Sequence, residues 1–311
     1  PISFLASSNS ILYSNARPDF VDIDNVTYNI DINKLEKKIR QLNFKSKKVK
    51  AVIATDFAGN PCDWKSLKEI ATKYRIKLIN DNCHAIGATY NNDQKYAVKY
   101  ADIVTHSYHP VKNITTGEGG AIFTNDKKIF DKIKVLRSHG VVREQKKFLL
   151  NHGPWYHEMH ELGYNYRITD FQCALGISQL KKIRKFIKRK RDIAKIYNKS
   201  FSDDVNFLIP TTTRNCGHAY HLYPLLIRFN KIGIKKKDFF KKMKDKNINL
   251  QVHYIPIHLQ PYYKKKYNFK LGDFPVSEEF YKREVSLPIY FSLKDNQILN
   301  IVKTIKKLCY S

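Results

Sequence analysis

The sequence predicts an α/β protein with a mostly parallel central sheet flanked by helices, followed by a smaller C-terminal α+β domain. Three observations carry this expectation. Short apolar runs alternate with helix-period segments over the first two-thirds of the chain, the pattern of parallel strands joined by crossover helices. A long helical stretch follows, and beyond it two apolar runs bracket another helical stretch. At 311 residues the chain exceeds one minimal core, and its length suggests about two domains.

Strands are expected over 49–55, 76–81, 102–107 and 120–124. Between the first two, Asp63 is placed to cap a helix whose Trp64, Leu67, Ile70, Ala71 and Tyr74 share one face. Thr169 is expected to cap one long helix running to about Asn198, with Ile183, Phe186, Ile187, Ile193, Ile196 and Tyr197 along a stripe. The opposite face carries Lys181, Lys182, Arg184, Lys185, Lys188, Arg189, Lys190 and Arg191, read as a solvated surface. Such a helix suits a bridge between a large domain over 1–198 and a small one over 199–311. In the small domain, apolar runs over 221–229 and 248–255 flank a helix over 235–246. The last helix is expected to open on Ser292 and Asp295 at capping-box spacing and to bury Ile298, Ile301, Val302, Ile305 and Leu308.

The formal charge of +28 comes from 56 Lys+Arg against 28 Asp+Glu. A field of that sign attracts phosphates, nucleotides or nucleic acid. Lysine is nevertheless spread over almost every helix, together with abundant Asn, Ile, Tyr and Phe, which reads as compositional bias. The five cysteines (Cys62, Cys83, Cys173, Cys216 and Cys309) show no paired spacing for disulfides or zinc, so a reducing cytosol is expected. No apolar run approaches the ~20 residues of a membrane span, and no signal peptide is recognisable. His157 and His160 lack a third ligand nearby, so no metal is expected. The chain opens on Pro1-Ile2-Ser3-Phe4 as if a strand were in progress, and a fragment is expected.

Chemistry concentrates in segment 107–120, Ser-Tyr-His-Pro-Val-Lys-Asn-Ile-Thr-Thr-Gly-Glu-Gly-Gly. Lys112 follows a strand end and precedes a glycine cluster that leads into the next strand. Ligands of open parallel sheets sit beyond the carboxyl ends of strands, which is where this lysine falls. Asp81 ends another strand, with His84 three residues later. A buried carboxylate there suits pyridoxal 5'-phosphate (PLP), whose pyridine nitrogen must stay protonated for the cofactor to act as an electron sink.

These segments, with Arg137-Ser138-His139-Gly140, Gly163-Tyr164-Asn165-Tyr166-Arg167 and Val252-His253-Tyr254, resemble the DegT/DnrJ-type sugar aminotransferases. The resemblance runs from Phe4 to about Gln297. It implies a fold-type I PLP-dependent transferase, aspartate aminotransferase-like, acting as a homodimer with shared active sites. By the same resemblance Lys112 is the Schiff-base lysine and proton carrier, and Asp81 the partner of the pyridine nitrogen. His84 neighbours the cofactor's phenolic oxygen, Ser107 binds its phosphate, and Phe4 stacks on its ring. Asn165 reaches the phosphate of the neighbouring subunit, Arg167 lies beside it, and His253, Tyr254 and His258 line the substrate side.

The family members most similar imply amino transfer from an amino acid, expected to be glutamate, to C4 of a UDP-linked 4-keto-6-deoxy-N-acetylhexosamine in pseudaminic acid biosynthesis. Two departures stand out. A small-residue turn upstream of the Phe4 segment, which helps hold the cofactor phosphate in the family, has no counterpart here, and Asn113 stands where the most similar members usually carry Pro. Two alternatives remain open at this point. One is a PLP-dependent nucleotide-sugar dehydratase of the same fold, against which Lys112 counts, since those carry histidine there. The other is an inactive nucleic-acid-binding or regulatory protein, against which the retained Lys112, Asp81 and Ser107 count.

Overall fold

A computed structural model of the chain describes residues 1–46, 48–150 and 152–310. Helix α1 (Leu5–Tyr13) opens the chain, followed by α2 (Ile32–Phe44), which Asp31 caps by accepting from the Lys34 N–H at 3.0 Å. Strand β1 (Ala51–Thr55) leads to α3 (Trp64–Tyr74), capped by Asp63 as predicted and burying Trp64, Leu67, Ile70 and Ala71. Next come β2 (Lys77–Asp81), β3 (Ile103–Ser107) and β4 (Gly120–Phe123).

The four strands form one sheet in the order β1-β2-β3-β4. β1 with β2 and β2 with β3 are parallel, and the register sets Thr55, Asp81 and Thr105 side by side. β4 departs from the parallel expectation and runs antiparallel to β3. No crossover helix separates them. Instead the chain folds back through a loop closed by Tyr108 N–H to Gly119 O (2.8 Å) and Thr116 N–H to Tyr108 O (3.0 Å), and a direct return allows only the antiparallel pairing. Gly120 makes this return possible, because a Cβ there would lie 2.6 Å from the His106 carbonyl oxygen.

After α4 (Lys127–Leu136), the expected long helix is two: α5 (Asp170–Leu180), with a capping box between Thr169 and Gln172, and α6 (Ile183–Phe201). The break at Lys181 and Lys182 separates two environments. α5 buries none of its residues, whereas α6 buries Ile187, Ile193, Ala194, Tyr197 and Phe201, and a single straight helix would keep one stripe facing one surface. The basic run on α6 also departs from a solvated face. Lys190 is buried, Arg191 Nε donates to His218 O at 2.9 Å, and Arg189 pairs with Asp295 at 2.7 Å.

The second sheet contains β5 (Phe207–Leu208), β6 (Tyr223–Ile227) and, after α7 (Lys236–Asp245) and α8 (Pro275–Arg283), β7 (Glu284–Leu287). All pairings are antiparallel, in the order β7-β6-β5. The expected strand over 248–255 keeps only a single bridge, Gln251 to Ser286. Its His253 N–H goes to the Glu284 side chain at 3.0 Å rather than to a ladder. β7 takes its place, and no apolar run marks it because its polar Glu284 and Ser286 are buried along with Val285 and Leu287. Helix α9 (Asp295–Tyr310) buries Ile298, Ile301, Val302 and Ile305 as predicted and leaves Leu308 partly buried. Its start differs from the Ser292 expectation: Lys294 N–H donates to Gln297 Oε1 at 2.9 Å, while Asp295 turns to Arg189.

Two main cores result. One lies around the parallel sheet with α2 and α3, and the other joins the small sheet to α7 and α9. α6 serves both, giving Ile187 to the first and Ile193, Ala194, Tyr197 and Phe201 to the second. The N-terminal segment also reaches across. Ile2 and Ile23 pack with Leu222, Leu226 and Phe280, and Asp22 caps α8 by accepting from Val276 N–H (3.0 Å) and Ser277 N–H (2.9 Å). No helix of the described residues is long and apolar enough to cross a membrane.

Candidate active site

Asp81 ends β2, and its position is fixed from beneath. The fully buried Asp56 accepts from Tyr96 OH (2.7 Å), Asn82 Nδ2 (2.8 Å), Cys62 N–H (2.8 Å), Trp64 Nε1 (2.9 Å) and Asn80 Nδ2 (3.2 Å). Burial pushes its carboxyl up to about 6, against these donors. Asn80 and Asn82 flank Asp81, so one satisfied buried carboxylate holds both of its neighbours. Asp81 itself accepts at Oδ2 from Ser7 Oγ (2.5 Å) and at Oδ1 from Cys83 N–H (3.2 Å). A carboxylate has about four acceptor positions, so one at Oδ1 remains for a further N–H.

Lys112 sits in the β3–β4 return, half-buried, and its Nζ has no hydrogen bond or ion pair among the described residues. Burial lowers its pKa, offset by the fields of Cys83 and Asp81. A lysine amine of lowered pKa, free of protein partners, is available as a nucleophile. The loop carrying it is clamped by the next residue. Asn113 Nδ2 donates to Ile86 O (3.0 Å) and His84 O (3.4 Å), and its Oδ1 accepts from Lys190 Nζ at 2.7 Å.

His84 is buried, with Nε2 3.2 Å from Tyr254 OH and its ring 4.4 Å from that of His221. Nδ1 of both histidines is buried without a hydrogen-bond partner among the described residues. Burial, then the charge of Lys112, holds His84 neutral, its pKa well below the usual imidazole range. His253 is lowered to about 4, by burial and then by Lys112. The exposed Phe4 ring lies 6.0 Å from that of Tyr254. Ser107 accepts from His109 N–H at 3.4 Å and keeps its own hydroxyl proton uncommitted.

The structure thus brings Lys112, Asp81, His84, His253 and Tyr254 together, with Phe4 at the edge and Ser107 on the adjoining strand end. Asn165 and Arg167 lie outside this group on an exposed segment, where Asn165 bridges to Ser138. His258 is fully buried, its Nε2 2.9 Å from Glu278 and its ring edge-on to Phe274, so it presents no surface to a substrate. His160 pairs with Glu158 at 2.6 Å. Sequence reasoning missed Ser7, Asp56, Lys190 and His221, none of which lies in a motif with the group it serves.

Fold and site together define an α/β transferase of the aspartate aminotransferase-like, fold-type I class. The model of the DegT/DnrJ/EryC1/StrS aminotransferase family matches residues 1–306, and the chain belongs to that family. A UDP-4-amino-4,6-dideoxy-N-acetyl-beta-L-altrosamine transaminase of Campylobacter jejuni is 36% identical over 316 residues, covering 99% of this chain and 79% of the relative. The solved structure of PseC from Helicobacter pylori, described as an aminotransferase involved in pseudoaminic acid biosynthesis, superposes with a TM-score of 0.88 at 32% identity, covering 99% of this chain and 78% of that one. A putative sugar aminotransferase from Streptococcus pneumoniae, solved in a PMP form, gives a TM-score of 0.87 at 25% identity, with coverage of 99% and 80%.

Proposed function

We propose that the chain is a PLP-dependent aminotransferase that moves an amino group from an amino acid, glutamate by the resemblance, to C4 of a UDP-linked 4-keto-6-deoxy-N-acetylhexosamine. The observation that carries this reading is the unpartnered, half-buried Lys112 amine sharing a strand-end group with Asp81. The residues present fit the cofactor: Asp81 has an open acceptor position, Ser107 an uncommitted hydroxyl, and Phe4 a bare ring. When bound, PLP supplies the electron sink that stabilises the carbanion formed at the nitrogen-bearing carbon.

Asp81 Oδ1 would hold the proton on the pyridine nitrogen. Lys112 Nζ would hold the cofactor covalently between turnovers and, once released, carry the proton between cofactor and substrate carbons. Burial, opposed by the fields of Cys83 and Asp81, lowers its pKa and so favours the neutral amine. His84, held neutral, would face the phenolic oxygen, Phe4 would cover the pyridine ring, and Ser107 would donate to the phosphate. His253 and Tyr254 would line the sugar side.

The same reading assigns Asn165, with Arg167 beside it, to the active site of a second subunit. α5 supports it. Phe171, Leu175, Ile177 and Leu180 are exposed on this helix, and Gln172 Nε2 donates to Glu118 O at 2.8 Å, at the end of the Lys112 loop. An exposed helix with apolar side chains around it, beside the site, suits a homodimer interface. The lobes divide near residue 198, with the parallel sheet in one and the antiparallel sheet in the other. A cytoplasmic location fits the unpaired cysteines.

Assay of the protein with PLP and glutamate against a panel of nucleotide-linked keto-sugars tests the proposal. Amination of the UDP-linked 4-keto sugar above all others is expected. Turnover confined to 3-keto sugars would overturn the substrate, and water loss without amination would point to the dehydratase.

A further inference from the structure

Behind the substrate side, the small sheet holds a buried polar relay. Glu284 opens β7 with no exposed surface, and Ser286, two residues on, projects to the same face. Ser286 Oγ donates to Glu284 Oε1 at 2.5 Å and lies 2.8 Å from His253 Nδ1, while Glu284 Oε2 accepts from the His253 N–H at 3.0 Å. A hydroxyl has one proton to give. With that proton committed to an ionised Glu284, Ser286 Oγ can only accept, so the hydrogen sits on His253 Nδ1. Nε2 is then a bare lone pair, and it has no hydrogen-bond partner among the described residues.

We propose that Glu284 and Ser286 are positioning residues that, with Glu284 ionised, hold His253 in its Nδ1–H form, so that Nε2 accepts a hydrogen bond from a hydroxyl of the sugar. This rests on the placement of His253 on the substrate side in the reading above. Burial pushes the Glu284 carboxyl up to about 8, opposed by the donating Ser286 hydroxyl, by Lys236, whose Nζ donates to Tyr281 O at 2.6 Å and which burial itself lowers to about 8, and by the His253 N–H. The relay is therefore tested above that value, at about pH 9, where Glu284 is ionised.

The isosteric Glu284→Gln change reverses the relay. The His253 N–H requires the amide oxygen, which leaves the NH2 facing Ser286 Oγ. The hydroxyl proton must then turn to His253 Nδ1, and the ring proton moves to Nε2. Nitrogen-labelled histidine in the full chain, without cofactor, reads the tautomer by NMR, with the His253 signal assigned through His253→Gln.

Wild type is expected as Nδ1–H, Glu284→Gln as Nε2–H, Ser286→Ala as a mixture, and Ser286→Thr as wild type. At about pH 9, KM for the keto-sugar should rise about tenfold in Glu284→Gln and Ser286→Ala, with kcat within about twofold, as for one misdirected hydrogen bond. A wild-type Nε2–H signal, or an inverted tautomer with unchanged KM, overturns the proposal. A wild-type chain that aminates no keto-sugar instead overturns the reading beneath it, and the spectrum still decides the relay, needing neither cofactor nor sugar.

Discussion

Lys190 offers a quantitative test of the packing under the catalytic loop. It is 7% exposed, and burial lowers its pKa from 10.5 to about 8. A cation with a lower pKa in the folded state costs stability wherever it is charged. That cost is complete below about pH 8 and fades as pH rises towards the unfolded value. The shift corresponds to about 3 kcal/mol at neutral pH. Lys190→Met removes the charge but leaves Asn113 Oδ1 without its donor, a loss of about 1–3 kcal/mol. The net change at neutral pH is thus small, roughly 0–2 kcal/mol in the stabilising direction. The pH dependence is larger: from about pH 7 to about pH 9.5, wild type should gain about 2 kcal/mol relative to the variant. Urea unfolding of both proteins at the two pH values measures this. Stability curves that stay parallel across that range would refute the buried charge.

Three further outcomes follow from the site. Lys112→Ala should bind PLP only non-covalently, so borohydride reduction should add the cofactor mass to wild type and not to the variant; a labelled variant would place the Schiff base elsewhere. Asp81→Ala should lose at least about a hundredfold in kcat, the scale of one lost electrostatic partner, with Asp81→Glu retaining more. Unchanged kcat would reduce Asp81 to a structural acceptor. Mixing Lys112→Ala with Asn165→Ala protomers under subunit exchange should restore activity through hybrid dimers, and no rescue despite proven exchange would return Asn165 to its own subunit's site or make it dispensable.

Much of the fold was legible because its signals are local. The apolar runs ending at Asp81 and Ser107 are strands, and the glycines after Lys112 mark the return that holds it. Asp63 and Thr169 cap helices where a short polar side chain precedes a periodic stretch. What escaped depends on partners far apart in the chain. Ser7 lies 74 residues from Asp81, and Lys190 lies 77 from Asn113, hidden in a run of lysines that looks uniformly solvated. The orientation of β4 was missed because alternation of apolar residues is the same in parallel and antiparallel strands. The resemblance set His258 with His253 and Tyr254 on the substrate side, but the turn over Ile257–Leu259 points it inward to Glu278.

The sharing of α6 between two cores bears on how the enzyme meets its ligands. A helix is stiff along its axis, and this one is anchored at Ile187 on one side and at Ile193, Tyr197 and Phe201 on the other. A second tie runs through Asn60, which holds Thr211 O at 3.1 Å and Thr213 N–H at 3.0 Å. Both ties couple the core around the parallel sheet to the core of the small sheet. Under the proposed function, Asp81 and Lys112 beside one core and His253 beside the other would be spaced in advance, like fixed jaws of a gauge. In the proposed reading, a sugar of matching length would meet a ready-made gap, and little ordering entropy would be spent on closing it.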